Sequence, residues 1–140
     1  MQRTARKTLG SERALVGRLL RVGALAAFLS ASANALVLAG ASSLFGDVVI
    51  PPDETVTLGQ VVAASVVGSI VAAVAFAVVG HIAERPVGVF WGIAAAGLLL
   101  SFIPIALAGA TGSSAGTLAL MHVVAAGANV GLLTKLGQNG

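Results

Sequence analysis

Four long apolar stretches constrain the fold of this chain more than any other feature. They lie at residues 22–45, 57–80, 87–108 and 117–134, and they contain no lysine, arginine, aspartate or glutamate. A helix needs roughly 20 apolar residues to cross a bilayer. Of the 140 residues, 57% are hydrophobic and 9% are charged, whereas soluble domains carry roughly 25% charged residues. We therefore predict an all-α fold, a transmembrane bundle of four helices in a single domain.

Short polar or helix-breaking segments separate the four stretches. Pro51 and Pro52 stop a helix after the first stretch, because proline lacks the backbone N–H that a helix needs. A tight connection at 81–86 follows the second stretch, and small residues at 109–116 predict a flexible turn after the third. These boundaries divide the chain into a basic cytoplasmic tail at 1–21, a transmembrane domain at 22–136 and a short C-terminal tail at 137–140.

The distribution of charge predicts the orientation in the membrane. Four crossings place the N-terminus, the 81–86 connection and the C-terminus on one side, and all eight lysines and arginines lie in these three segments. The other side carries Asp47, Asp53 and Glu54 and no basic residue. Because cytoplasmic segments of membrane proteins are enriched in lysine and arginine, we predict a multi-pass protein of the cell's inner (plasma) membrane with the N-terminus and the C-terminus cytoplasmic.

A cleaved signal peptide is the alternative for the first stretch. The basic start of the chain and the small residues that end at Ala35 resemble a signal sequence and its cleavage site. The apolar run, however, continues past Ala35 to Phe45, whereas the hydrophobic region of a signal peptide spans about 7–15 residues. We therefore favour an uncleaved first helix.

A few polar side chains interrupt the apolar stretches at similar depths. At ~1.5 Å per helical residue, two of them lie about 18 Å from the predicted cytoplasmic helix ends. Two interpretations stay open for such residues: hydrogen bonds between helices, which we favour, and a polar site or proton relay in the centre of the bundle. The candidate belt at the bilayer midplane contains Asn34, Ser69, Ser101, His122 and Asn129.

Small residues recur at four-residue spacing in each apolar stretch. Such spacing allows helix backbones to approach closely, which favours association where lipid removes the hydrophobic attraction between helices. We predict helix-packing contacts at Gly68, Gly88, Gly92, Gly127 and Gly131.

The residue inventory leaves little scope for catalysis. The chain has no cysteine, and its sequence shows no nucleophile–base pair or metal-ligand cluster. We predict no catalytic residue, no cofactor and no metal, and with no tyrosine and one tryptophan we expect no nucleic-acid partner.

The expected role is a non-enzymatic structural or interaction subunit, whose partners are the lipid bilayer and another membrane protein or a second copy of the chain. The alternative is a small channel or transporter with a polar midplane site around His122 and Asn34.

The four-stretch layout and two segments resemble a known group of proteins. The segments are His-Ile-Ala-Glu-Arg-Pro at 81–86 and Leu-Met-His-Val-Val-Ala-Ala-Gly-Ala-Asn-Val-Gly-Leu-Leu-Thr-Lys at 120–135. They are similar to small actinobacterial four-helix integral membrane proteins of unknown function, and the likeness covers residues 15–136. The resemblance implies a membrane location and four crossings. Because that family has no established activity, it implies no catalytic residue.

Overall fold

The computed structural model describes the backbone of residues 2–110 and 112–136, and the side chains of residues 16–110 and 112–136. This part of the chain folds into four helices and one small antiparallel hairpin. In chain order the elements are α1 (Gln2–Phe45), β1 (Val49–Ile50), β2 (Glu54–Thr55), α2 (Leu58–Ile82), α3 (Pro86–Leu107) and α4 (Gly112–Leu136).

All four helices are long and apolar enough to cross a membrane. For α2, α3 and α4 this holds over the whole helix, and for α1 it holds over Val16–Phe45. Many large apolar side chains point outward, including Leu36, Ile70 and Leu99. Such exposure suits lipid as the surrounding solvent, and it confirms the predicted fold class of an all-α bundle with four candidate membrane helices.

Helix α1 begins well before the predicted first stretch. Residues 2–21, which we predicted as a tail, belong to the same helix, and the chain has no proline before Pro51 to interrupt it. Near the start of the apolar part, Arg18 Nε donates to the carbonyl oxygen of Leu136 at 3.0 Å. This bond joins α1 to the last turn of α4, so both lie at one end of the bundle.

The turn between α3 and α4 is shorter than the predicted segment at 109–116, because α4 already begins at Gly112. Gly109 and Gly112 have φ angles of 71° and 56°. Glycine adopts this left-handed backbone without a steric penalty, and the two glycines reverse the chain within a few residues.

At the opposite end of the bundle, Pro86 occupies the first turn of α3, where its missing N–H costs no hydrogen bond.

Helix α1 packs along both α2 and α4, whereas α3 makes fewer contacts and touches α2 and α4. Of the α3 residues, all of which the structure describes, Phe90 alone is buried. Its ring meets the edge of Phe76 with the centroids 5.0 Å apart and an interplanar angle of 71°. Phe90 is therefore the one buried residue of a helix whose other packed side chains, such as Leu98 and Phe102, are half-buried.

The buried side chains form two apolar clusters at different heights in the bundle. The cluster nearest the chain termini, which we call the inner cluster, combines all four helices. The cluster nearest the hairpin, the outer cluster, combines α1, α2 and α4 with Val48. The inner cluster consists of Val22, Phe76, Val79, Phe90, Val130 and Leu133, and the outer cluster of Leu38, Ala41, Val48, Val61 and Met121.

The hairpin between α1 and α2 is a feature that the sequence did not predict. Its strands pair Val49 with Thr55 and Ile50 with Glu54, and the Val49 N–H donates to Ser114 Oγ of α4 at 3.1 Å. Immediately after it, Thr57 caps α2 in a reciprocal capping box with Gln60. The hairpin is thus fixed to the first turns of both α2 and α4.

The predicted glycine contacts require correction. A Cβ atom added at any of the five predicted glycines would meet no neighbouring atom within 4 Å. The close approach lies instead at Gly23, where an added Cβ would come within 3.3 Å of Ala73 Cβ. Four-residue spacing is common in a chain so rich in glycine and alanine, and it does not specify which face of each helix turns inward. The five glycines concerned are Gly68, Gly88, Gly92, Gly127 and Gly131.

Candidate functional site

A cleft of about 450 Å³ lies between α1, α2 and α4, beside the hairpin. Its walls are mainly apolar, and four polar side chains interrupt them. Ligand sites in proteins typically have this composition and a volume of about 300–1,000 Å³. The polar residues are Asn34, Gln60, Ser65 and His122, and the others are Ile50, Val56, Val61, Ala64, Gly68, Leu118, Met121 and Ala125.

Asn34 is one of two equally buried polar residues of the cleft, and Ser65 is the other. The Asn34 side chain is 5% exposed, and its Nδ2 donates to Ser65 Oγ of α2 at 3.1 Å. Its Oδ1 is buried and has no hydrogen-bond partner among the described residues. A buried acceptor without a donor costs about 1–3 kcal/mol, and Asn129 Oδ1, outside the cleft, is in the same situation.

His122 contributes a second acceptor to the same cleft. Its Nδ1 lies 2.7 Å from the carbonyl oxygen of Leu118, one turn earlier in α4. A carbonyl oxygen can only accept, so Nδ1 carries the proton, and in the neutral ring Nε2 keeps its lone pair. The ring also lies beside Phe102 of α3, with the ring centroids 6.5 Å apart. The contact with the backbone therefore leaves Nε2 as the nitrogen that can accept from a ligand.

The two acceptors lie at similar depth below the hairpin end of the bundle. At ~1.5 Å per residue, Asn34 is about 16 Å along α1 from Phe45, and His122 is about 15 Å along α4 from Gly112. The structure thus brings these two members of the predicted belt to one cleft.

The other three belt residues lie outside the cleft and bond elsewhere. Ser69 is buried and donates to the carbonyl oxygen of Ser65 at 2.8 Å, and Ser101 donates to that of Leu98 at 2.6 Å. Asn129 Nδ2 lies within hydrogen-bond distance of Ser30 Oγ in α1, at 3.3 Å, and of its own helix backbone. The five residues therefore form separate local contacts and no continuous belt.

Ser30 and Ser65 are the polar residues that sequence reasoning missed. Each accepts a hydrogen bond from an asparagine of a neighbouring helix. A sequence signal existed, because Ser30 precedes Asn34 by four residues and Ser65 precedes Ser69 by four. Residues at that spacing share one helix face, so each serine lies beside a belt residue that we had chosen.

The hairpin end of the cleft is acidic. Gln60, which lines the cleft, donates through Nε2 to Glu54 Oε1 at 2.6 Å. Asp47 and Asp53 lie in the same connection, and the sequence places no lysine or arginine at this end. The field at the hairpin end of the cleft therefore favours positive charge.

The other end of the cleft meets the inner cluster. Phe76, Val130 and Leu133 are members of this cluster, and Leu133 is fully buried. Buried Ser69, the Ser30–Asn129 contact and this apolar cluster thus lie between the cleft and the end that carries the chain termini. On this side the cleft meets packed side chains and does not continue as an open pore.

Four helices long and apolar enough to cross a membrane, with a partly polar cleft between three of them, define the class as a helical membrane protein with a candidate ligand site. The chain belongs to a family of unknown function, DUF6069, whose family model matches residues 14–138 and so covers all four apolar stretches. No curated protein and no solved structure gives a significant match. The family match agrees with the resemblance to membrane proteins of unknown function. It does not identify an organism, and the actinobacterial part of that resemblance stays a prediction.

Proposed function

We propose that this protein is a non-enzymatic, multi-pass protein of the plasma membrane that holds a small molecule in the cleft between α1, α2 and α4. One observation carries this proposal: a cleft of about 450 Å³ between these helices is lined mainly by apolar side chains and by four polar ones, Asn34, Gln60, Ser65 and His122. This volume and this composition are typical of small-molecule sites in proteins.

The proposed orientation has both chain termini in the cytoplasm. The support is the charge distribution, with all eight lysines and arginines at the end of the bundle that carries the termini and the 83–85 connection. In this orientation the hairpin and the end of the cleft beside it lie on the side away from the cytoplasm.

Binding is better supported than conduction. A channel requires a hydrated path along the whole bundle, whereas the inner cluster fills the cytoplasmic half with apolar side chains. A transporter with this site would have to repack Phe76 and Phe90, the aromatic pair of that cluster. We also propose that the protein is non-enzymatic, because His122 Nδ1 faces a backbone carbonyl and not a carboxylate that could complete a proton relay.

A second role, as an interaction subunit, is supported by α3. This helix exposes nearly its whole length, including Trp91, Leu99 and Leu107. In the membrane this surface contacts lipid, another membrane protein or a second copy of the chain. Crosslinking from a photoreactive group at Leu99 in native membranes tests this role. If α3 contacts another protein, a discrete crosslinked protein should form. Lipid adducts alone would contradict the role.

Single cysteines test whether the cleft is open to ligand, since the natural chain has none. Ala64→Cys and Ala125→Cys place thiols in the cleft wall. The controls are Ala26→Cys, whose position is fully buried, and Ala95→Cys, whose position on α3 is exposed. A water-soluble methanethiosulfonate should modify the cleft cysteines at least about tenfold faster than either control, because lipid and packed protein exclude it. Equal rates at Ala64 and Ala95 would refute an open cleft.

A further inference from the structure

We propose that the end of the bundle that carries the chain termini binds the head groups of anionic phospholipids and enriches these lipids around it. The surface concerned, which we call the basic rim, consists of Arg18, Arg21, Arg85 and Lys135. It lies at the opposite end of the bundle from the hairpin, and none of its residues lines the cleft. The basic rim is therefore a second surface, independent of the candidate ligand site.

The fold brings the four cations of the basic rim together from three separate segments. Arg18 Nε donates to the carbonyl oxygen of Leu136 at 3.0 Å, so α1 meets the last turn of α4 here. Ala83, two residues before Arg85, packs against the inner cluster, to which Val22 of α1 belongs. Because the axes of packed helices lie about 8–10 Å apart, the four cations share one area about two helices wide.

This end of the bundle carries a net positive charge. Arg21, Arg85 and Lys135 are exposed and Arg18 is half-buried, whereas Glu84 is the one acidic residue at this end whose side chain the structure describes. The sequence places four further lysines and arginines and one glutamate in the preceding part of α1. The field of this surface therefore attracts anions.

Apolar side chains beside the cations indicate that the anion belongs to a lipid. Leu20, Ile82 and Leu136 are exposed large apolar residues at the same end. Long basic side chains lay their stems along such apolar surface and hold the charge at the polar boundary. A phospholipid matches both parts, because its acyl chains cover the apolar side chains and its phosphate meets the cations, whereas a soluble anion matches the charges alone. Basic surfaces on transmembrane helices recognise anionic head groups in this way.

The only tryptophan of the chain lies close to the basic rim. Trp91 is exposed on the second turn of α3, about 8 Å along the helix from Pro86. Tryptophan is enriched at membrane–water interfaces, where its ring lies at the level of the head groups. The position of Trp91 supports an interface at this end of the bundle, and its fluorescence can report which lipids surround it.

Quenching of Trp91 by brominated lipids tests the proposal. The full chain is reconstituted into vesicles of equal amounts of phosphatidylglycerol and phosphatidylcholine, with bromine on the acyl chains of one lipid or the other. The ratio of the two quenching constants gives the relative association of the lipids near Trp91. We expect phosphatidylglycerol to associate at least about threefold more strongly at low salt, and high salt should lower this preference because ions screen exposed charges. Equal quenching by the two lipids at low salt would overturn the proposal.

The two ends of α3 offer a matched control. Trp91→Phe combined with Leu107→Trp moves the reporter to the last residue of the same helix, which is exposed at the end without the basic rim. Here the preference for phosphatidylglycerol should disappear, because the sequence places only acidic charges at the hairpin end. An equal preference at both positions would refute a lipid site at the basic rim.

Charge variants identify the residues responsible. Arg21 and Arg85 are exposed, so Arg21→Gln combined with Arg85→Gln removes two charges without opening the core. The preference measured at Trp91 should fall by at least about half, whereas Arg21→Lys combined with Arg85→Lys should keep it, because the charges remain. An unchanged preference in the glutamine variant would contradict a role for these residues.

Inorganic phosphate distinguishes a lipid head group from a free anion. Added to the vesicles at constant ionic strength, it should leave the preference for phosphatidylglycerol unchanged, because a soluble phosphate lacks the acyl chains that cover the apolar neighbours of the basic rim. Loss of the preference would show that the basic rim takes free phosphate and would overturn the assignment to phospholipid.

Discussion

The attachment of α3 through one buried aromatic side chain makes Phe90→Ala the sharpest test of the fold. Phe90 is 2% exposed, and it meets both Phe76 and the aliphatic residues of the inner cluster. Every other residue of α3, all of which the structure describes, is at least partly exposed. Removing this ring should therefore loosen α3 more than any other truncation in that helix.

The expected magnitude follows from the environment of Phe90. In soluble cores Phe→Ala costs about 3–5 kcal/mol, which combines a water-transfer term with a cavity term. A detached α3 would remain in lipid, so most of the transfer term is lost. The cavity term for roughly 100 Å³ of removed side chain, at ~24 cal/mol per Å³, is about 2.4 kcal/mol. The edge-to-face pair with Phe76 adds about 0.5–1.5 kcal/mol, and partial collapse of the cavity lowers the sum. We expect a loss of about 2–4 kcal/mol.

Reversible unfolding in mixed micelles, with increasing mole fraction of sodium dodecyl sulfate, measures this loss. Leu99→Ala is the control, because Leu99 lies on the same helix and is 68% exposed. It should change the free energy of unfolding by less than about 0.5 kcal/mol, as for surface substitutions in general. Equal losses for Phe90→Ala and Leu99→Ala would refute the conclusion that Phe90 is the main buried contact of α3.

Three further predictions concern orientation, helix packing and capping. In intact cells an impermeant thiol reagent should label Asp53→Cys and not Glu84→Cys, because the positive-inside rule places the hairpin outside; the reverse pattern would contradict the proposed orientation. Gly23→Leu should lower the free energy of unfolding by about 1–3 kcal/mol through overpacking, since an added Cβ there already lies 3.3 Å from Ala73 Cβ of α2. Gly127→Leu should have little effect, because no atom lies within 4 Å of a Cβ added at that position. Thr57→Ala should cost about 1 kcal/mol in the same unfolding assay by removing the cap of α2, and an unchanged stability would show that the cap is unimportant in the membrane.

The locations of the four helices were predictable because the preference of a segment for lipid or water depends on the composition of that segment alone. The predicted stretch at 87–108 differs from α3 (Pro86–Leu107) by one residue at each end. The starts of α1 and α4 were less well predicted, because charged or small residues permit a helix to extend and do not mark its first residue. The two-residue strands of the hairpin are too short to show a periodic pattern, so the segment was predicted only as a break between helices.

The sequence by itself determined that four helices cross the apolar region, which residues are polar within it, and the charge difference between the two ends. It also determined the depth of Asn34 and His122, since the rise per residue is fixed. Only the tertiary structure decided the rotation of each helix about its axis. That rotation pairs Asn34 with Ser65 and Asn129 with Ser30, turns Gly68 and Gly127 away from close contacts, and brings Asn34 and His122 to one cleft. Depth follows from local geometry, whereas rotation depends on packing against residues distant in the sequence.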